Sequence, residues 1–341
     1  MCIRDRVYLT GITTTGAPHL GNYAGAIRPA IQASQNPDTE QFYFLADLHA
    51  LIKGFKPEDV RRSRVEVAAT WMALGLDTDR AFFYCQSDIT EIPALAWLLS
   101  CQAAKGLLNR AHAYKAVVQE NESSGSNDPD KGITMGLFSY PVLMAADILM
   151  FKANKVPVGK DQIQHIEMAR DMAQRFNHHY GEHFVLPEAQ VDSSTAILSG
   201  LDGRKMSKSY NNTIPLFLPE KQFRKLIMKI KTNSLEPGEP KDPQGNTLFE
   251  IYQAFATDEQ TSNVRQMYAD GIAWGEMKQF LFEHLNEMLK EPREKYADLL
   301  ARPEIIGEVL QHGASKAREI SKPFAAELYD AVGIKPMWQS L

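Results

Sequence analysis

The sequence predicts a doubly wound α/β domain followed by a smaller, all-helical one, and three observations carry that prediction. Short apolar runs alternate with segments of 3.6-residue periodicity through the first two-thirds of the chain, the pattern of βαβ units around a parallel sheet. The strand signals stop after Pro215, and only helical patterns follow. The length of 341 residues is enough for two domains of ordinary size, which run about 100–200 residues each. The expected division is 1–216 and 217–341, with the last helix free to pack back on the first domain.

Taken in order, the expected strands are residues 7–10, 41–46, 81–86, 156–159 and 196–199. Each is a short run of apolar, aromatic or β-branched residues. Residues 57–74, 92–108 and 161–177 carry helical periodicity between them. In the last of these, Ile163, Ile166, Ala169, Ala173 and Phe176 step by three or four. Residues 140–151 read as a helix with Pro141 in its first turn, where a missing N–H does no harm. Segment 119–131 (QENESSGSNDPDK) has no apolar residue and reads as a surface loop. Beyond residue 219 the helical patterns are 249–256, 277–290, 303–312 and 315–332. No internal repeat at a solenoid period is present.

Composition narrows the class. Hydrophobic residues make up 44% and charged residues 23%, an ordinary globular balance that excludes a disordered chain. The net charge is −5, so the chain cannot coat nucleic acid non-specifically, DNA included; any RNA contact needs a local basic patch. Cys2, Cys85 and Cys101 are odd in number and too far apart for a metal site. A reducing, cytoplasmic setting fits them. No apolar run reaches the 18 or so residues of a membrane span, and the first strand begins too early for a signal peptide to precede it.

Directly after the first strand comes GITTTGAPHLGN, Gly11 to Asn22. A strand, a turn of small and hydroxyl residues, then a helix starting near Gly21 aims backbone N–H groups at an anion. Thr13, Thr14, Thr15 and His19 can donate to phosphate oxygens, and Gly21 leaves room for a flat group against the backbone. An ordinary βα turn explains the same glycines equally well. The second constellation is LDGRKMSKS, Leu201 to Ser209. Lys205 and Lys208, interleaved with Met206, Ser207 and Ser209 on a glycine-led loop, can surround a polyphosphate and close over it.

On the 140–151 helix, Tyr140, Met144, Asp147 and Phe151 share one face. That face is apolar except for one carboxylate, which costs several kcal/mol unless a donor meets it. An indole N–H entering a pocket would be such a donor; a neighbouring helix could supply another. Met144 can adapt to a flat ring. His178, His179 and His183 include a zinc-like spacing, but Gly181 and Pro187 point to a helix end instead, so no metal is assigned to the protein itself. Lys221, Arg224, Lys225, Lys229 and Lys231 form a basic strip that is either a solvated helix face or an RNA-phosphate patch.

HLGN and KMSKS resemble the two motifs of class I aminoacyl-tRNA synthetases. SYPVLMAADIL (139–149), VPVGKDQIQHIE (156–167) and RDMAQRFN (170–177) are similar to the tryptophanyl-tRNA synthetase family over essentially the whole chain. The resemblance implies a Rossmann-like catalytic domain and a helical anticodon-binding domain. It implies activation of L-tryptophan with ATP and Mg²⁺, transfer to tRNA-Trp, and a homodimer. It implies the indole contact for Asp147, amino-acid contacts for Tyr140, Met144 and Gln162, and catalytic phosphate stabilisation for His19, Lys205 and Lys208. Gly21, Asn22, Gly159, Lys160, Asp161 and Ile197 are expected to join Thr13–Thr15 and the KMSKS residues around ATP. Many relatives carry Gln where Thr13 stands, Pro and Ser at Thr14 and Thr15, and an acid at Lys160. The rival readings are a tyrosyl-tRNA synthetase, a non-catalytic paralogue binding RNA or tryptophan, and a plain nucleotidyltransferase.

Overall fold

The computed structural model describes residues 6–14, 16–54, 56–191 and 198–334. Five parallel strands form one sheet: β1 (Val7–Ile12), β2 (Glu40–Leu45), β3 (Phe82–Cys85), β4 (Lys155–Pro157) and β5 (Glu188–Gln190). Their order is β3-β2-β1-β4-β5. The β1–β2 register runs from Val7 opposite Glu40 to Ile12 opposite Leu45. From Gln41 to Leu45 every residue of β2 is buried, as a parallel strand covered on both faces requires. The chain winds from β1 outward to β2 and β3, then returns to lay β4 on the other side of β1. Strand order therefore reverses between β1 and β4. The crevice beyond their carboxyl ends is where such sheets bind ligands.

Helices α1 (Leu20–Asn22) and α2 (Arg28–Ser34) follow β1, joined by one wide π turn; α3 (Asp47–Ala50) and α4 (Pro57–Ala73) follow β2. Between β3 and β4 lie α5 (Glu91–Ser100), α6 (Lys105–Leu108), α7 (His112–Ser123) and α8 (Met135–Met150), and α9 (Ile163–Tyr180) precedes β5. The remainder is helical: α10 (Glu220–Ile227), α11 (Thr247–Phe255), α12 (Asp258–Ala269), α13 (Trp274–Ala301) and α14 (Pro303–Ala331). The parallel-sheet α/β class expected from the sequence is the one observed. Among the described residues, no helix is long and apolar enough to cross a membrane.

Several expected elements differ. The fifth strand is Glu188–Gln190, a three-residue polar edge strand with no apolar run to announce it. Of the expected strand 196–199, residues 196 and 197 lie outside the described residues, and Ser199 makes an isolated bridge to Lys205. The expected loop at 119–131 begins inside α7, which runs to Ser123 with no buried residue; a helix without a buried face gives no apolar period. The expected helix 92–108 is broken between Ser100 and Lys105. Pro141 lies well inside α8, whose N-cap is Thr134, accepting from the Leu137 N–H at 3.2 Å. Phe151 follows that helix and stacks on Phe42, with centroids 4.7 Å apart, in the core.

The expected break at Gly313 is absent, because α14 is continuous. A Cβ on Gly313 would sit 1.9 Å from the Phe83 carbonyl oxygen. Glycine is there so that α14 can lie directly on the backbone of β3, covering the edge strand of the sheet. Arg318 and Ser321 of α14 both donate to the Glu91 carboxylate, at 2.8 and 3.2 Å. Helices α10 to α13 close around their own apolar core of Phe223, Ile227, Leu248, Tyr252, Leu281 and Leu285. Leu20, Ala24 and Met206 belong to that same core, so both the turn after β1 and the 201–209 loop are anchored in the helical part.

Candidate active site

A cavity of about 540 Å³ opens at the reversal point of the sheet. Thr13 and Thr14 reach it from the end of β1; Pro157, Val158 and Gly159 reach it from the end of β4. Helix α8 supplies Tyr140, Met144 and Asp147, and the turn before α9 supplies Gln162. The floor is Gly11, where a Cβ would meet the Phe44 ring at 2.9 Å, so a side chain there would displace the ring or fill the space. Seven of the sequence-selected residues thus converge on one space.

Its deep end is polar in one place. Asp147 is 1% exposed and accepts from Gln86 Nε2 at 2.8 and 2.9 Å and from His49 Nε2 at 3.0 Å. The donor that a buried carboxylate needs is therefore supplied by the protein, from α3 and the end of β3. A carboxylate has about four lone-pair sites, so one remains for a ligand N–H. Burial raises the Asp147 pKa, while the bonds from His49 and Gln86 pull it back. The other polar corner is Tyr140 with Gln162, backed by His165: the Tyr140 hydroxyl lies 2.6 Å from His165 Nε2, and His165 Nδ1 lies 2.8 Å from Gln162 Oε1.

The nucleotide-type turn adjoins this cavity. Thr14 is buried, and its hydroxyl has no hydrogen-bond partner among the described residues although it faces the cavity. An unmet buried hydroxyl at a cavity wall is a position built for a ligand atom. Gly16 takes a φ of +83°, which only glycine adopts cheaply. Its carbonyl accepts from Lys208 Nζ at 2.9 Å, so the 201–209 loop reaches across to the turn. His19 caps α1: its Nδ1 accepts from the Asn22 N–H at 3.3 Å, and Asn22 Oδ1 accepts from the His19 N–H at 3.1 Å. That leaves the Nε2–H of a neutral ring as the outward donor. Burial, with Lys208 adding to it, holds the His19 pKa down at about 4, so the ring is neutral near pH 7.

The loop is caged by one residue. Asn212, 2% exposed, accepts from the Ser207 N–H at 2.8 Å and donates to Asp202 Oδ1 at 2.7 Å and to the Lys205 carbonyl at 3.1 Å. That bond, with Arg204 beside it, lowers the Asp202 pKa to about 2. Ser207 and Ser209 hydroxyls bond each other at 2.7 Å. Met206 is buried against α1, and Gly21 lies beside it, its missing Cβ 3.5 Å from Met206 Cβ. Lys205 and Lys208 are exposed. Lys160 and Asp161 are exposed beyond the cavity lining, Asp161 accepting from Gln162 Nε2 at 2.9 Å. Thr15 and Ile197 lie outside the described residues. His183 is engaged by Glu327 at 2.6 Å and by the Tyr180 carbonyl at 3.1 Å.

The model of class I tRNA synthetases for tryptophan and tyrosine (W and Y) matches residues 4–290. The chain is 61% identical over 336 residues to the tryptophan–tRNA ligase of Pseudomonas aeruginosa, covering 98% of this chain and 75% of the relative. It belongs to the tryptophanyl-tRNA synthetases. A second member, from Neisseria meningitidis, is 58% identical over 96% of this chain and 98% of its own length. The crystal structure of the Campylobacter jejuni tryptophanyl-tRNA synthetase complexed with ADP and tryptophan superposes with a TM-score of 0.87 at 41% identity, over 96% of this chain and 99% of that one. The family is one of aminoacyl-tRNA ligases, and this chain is such an enzyme.

For a tryptophanyl-tRNA synthetase site, sequence reasoning missed His49, Gln86 and His165. His49 and Gln86 stand at or just past the carboxyl ends of β2 and β3, where polar residues are candidates in any parallel sheet. That rule singles out both. His165 lies on the buried face of α9, beside Ile166 and Ala169. Sequence alone reads such a histidine as core.

Proposed function

We propose that the cavity binds tryptophan with its indole at Asp147 and its amine end at Tyr140 and Gln162, while ATP lies along the 11–22 turn. The observation that supports this most is the placement of a single buried carboxylate at one end of a cavity whose other end meets the turn after β1, to which Lys208 bonds through the Gly16 carbonyl. The amino-acid carboxylate attacks the α-phosphorus of ATP, the bond to the β-phosphate oxygen breaks, and pyrophosphate leaves with tryptophanyl-adenylate remaining. The adenylate then passes its acyl group to a terminal ribose hydroxyl of tRNA-Trp, releasing AMP. Lys205 and Lys208 would close on the phosphates, and the His19 Nε2–H and the Thr13 and Thr14 hydroxyls would donate from the opposite side. Gly21, Asn22, Gly159 and the backbone near Asp161 would border the adenosine.

Mg²⁺ would travel with the ATP phosphates and water, since it needs few protein ligands; among the described residues no group of three His, Cys, Asp or Glu stands ready to hold a metal. Residues 217–341 would carry the anticodon contacts, with the basic face of α10 available to phosphates. A homodimer is supported by Trp97, 71% exposed, and Met135, 73% exposed, since large apolar groups open to water mark contact surfaces. Unpaired Cys85 and Cys101 suit the cytoplasm.

The deciding experiment is ATP–pyrophosphate exchange with each of the twenty amino acids. Stimulation by tryptophan alone is expected. Stimulation by tyrosine would remove the indole role from Asp147, and no exchange by a folded, ATP-binding chain would mean a non-catalytic role.

A further inference from the structure

His165 is 2% exposed and does not line the cavity, yet both polar residues at the cavity's amine-binding corner bond to it. The protons in this chain of bonds can be assigned. Asp161 Oδ2 is a carboxylate oxygen and only accepts, so the Gln162 amide nitrogen must face it, at 2.9 Å. Gln162 Oε1 therefore faces His165, at 2.8 Å, and the imidazole must donate from Nδ1. Nε2 of the neutral ring is then an acceptor, and the Tyr140 hydroxyl donates to it at 2.6 Å. All donations run one way, from Tyr140 to His165 to Gln162 to Asp161.

We propose that His165 is a positioning residue for the amine end of the amino acid, turning Tyr140 and Gln162 so that both offer lone pairs to a ligand ammonium group. With its own proton committed to His165, the Tyr140 oxygen can only accept from the cavity side. The second lone pair of Gln162 Oε1 is likewise open. An ammonium group has three N–H donors and no acceptor, so this corner is complementary to an α-amine and rejects a ligand that presents an acceptor there. A protonated His165 would invert the device: Nε2 would donate to Tyr140, the hydroxyl proton would swing into the cavity, and donor would face donor. The surroundings oppose that state. Burial lowers the His165 pKa, His112 on α7 and His49 on α3 push it the same way, and Asp161 before α9 acts against them; Tyr140 on α8 and Gln162 are the uncharged neighbours that bond the ring.

The proposal rests on the tryptophan reading of the cavity, and two readouts separate their failures. In protein labelled with ¹⁵N-histidine, the resonance lost in His165→Phe should show the Nδ1-protonated neutral tautomer at pH 7.5 (a pH of about this value serves). The Nε2-protonated tautomer would overturn the assignment, whatever the enzyme's substrate. In exchange assays, His165→Phe should raise the KM for tryptophan about tenfold while the KM for ATP and kcat stay within about twofold. His165→Gln, whose Oε1 can accept from Tyr140, should recover part of the loss. Inhibition by indole-3-propionate, which lacks the amine, should be unchanged by His165→Phe. A parallel loss for indole-3-propionate or ATP would reduce His165 to a core residue and sink the proposal. Should His165→Phe fail to fold, His165→Gln carries the same test: the KM for tryptophan should still rise, by less than tenfold, with inhibition by indole-3-propionate unchanged, and a parallel loss for indole-3-propionate would overturn the proposal. If tryptophan stimulates no exchange in the unmodified enzyme, the substrate reading has failed, and the tautomer result stands by itself.

Discussion

The proposed amino-acid corner and the proposed phosphate loop adjoin the turn after β1 and are built in opposite ways. Around Asp147 and Tyr140 the polar side chains are buried or half-buried and bonded to one another: Asp147 to Gln86 and His49, Tyr140 to His165, His165 to Gln162. Around Lys205 and Lys208 the charged groups are exposed, with the loop held by backbone clasps at Asn212 and Lys208 bonded to the Gly16 carbonyl. Selecting one side chain among twenty requires donors and acceptors that cannot turn away, because a mismatch must leave a buried group unpaired. Moving charge onto a leaving pyrophosphate requires groups that arrive and then let go.

The comparison is tested most severely at the lysines. Lys208→Ala and Lys205→Ala should each lower kcat of exchange by about 10²–10³-fold, the usual worth of a transition-state donor, with little change in the KM for tryptophan or in melting temperature. A large rise in tryptophan KM would show that the two regions are not separate. Asp147→Ala should act the other way. Preference for tryptophan over tyrosine and phenylalanine should fall by about 10–100-fold, and stability should drop by about 1–3 kcal/mol because Gln86 and His49 lose their acceptor. Competition assays and thermal melts check the two halves; an unchanged preference would remove Asp147 from recognition.

Asn212→Ala probes how much the loop depends on its cage. A roughly fivefold to tenfold fall in kcat with an intact tryptophan KM is expected, since the loss of a backbone clasp costs about 1 kcal/mol; full activity would mean that phosphate binding alone shapes the loop. The smallest effect concerns pH. His19, with a folded pKa near 4, lies below its unfolded value of about 6.5. The unfolded chain therefore binds the extra proton first, and the stability gained from a neutral His19 is complete above about pH 6.5 and lost as pH falls toward 4. His19→Gln should flatten that part of a stability-against-pH curve, and an unaltered slope would contradict it.

Much of this was legible in the chain itself. Strand-and-helix alternation gave a parallel α/β sheet because buried strands must be apolar throughout and covering helices apolar on one side. The HLGN turn and the KMSKS loop were visible because glycine, hydroxyl and lysine in a tight run have few structural uses. What stayed hidden shares one physical cause: it depends on atoms distant in sequence. Gly313 reads as a helix break until α14 is seen lying on the Phe83 backbone. Lys208 reads as a phosphate ligand, but its contact with Gly16 spans 192 residues. The Asp147 carboxylate asks for a donor, and sequence alone could not say that His49 and Gln86 already supply it. His165 is one buried histidine among apolar neighbours until tertiary structure sets Tyr140 on one ring nitrogen and Gln162 on the other. Residue type and local period determine which groups need partners; only the packed fold decides which partner each one meets, and in which direction the proton points.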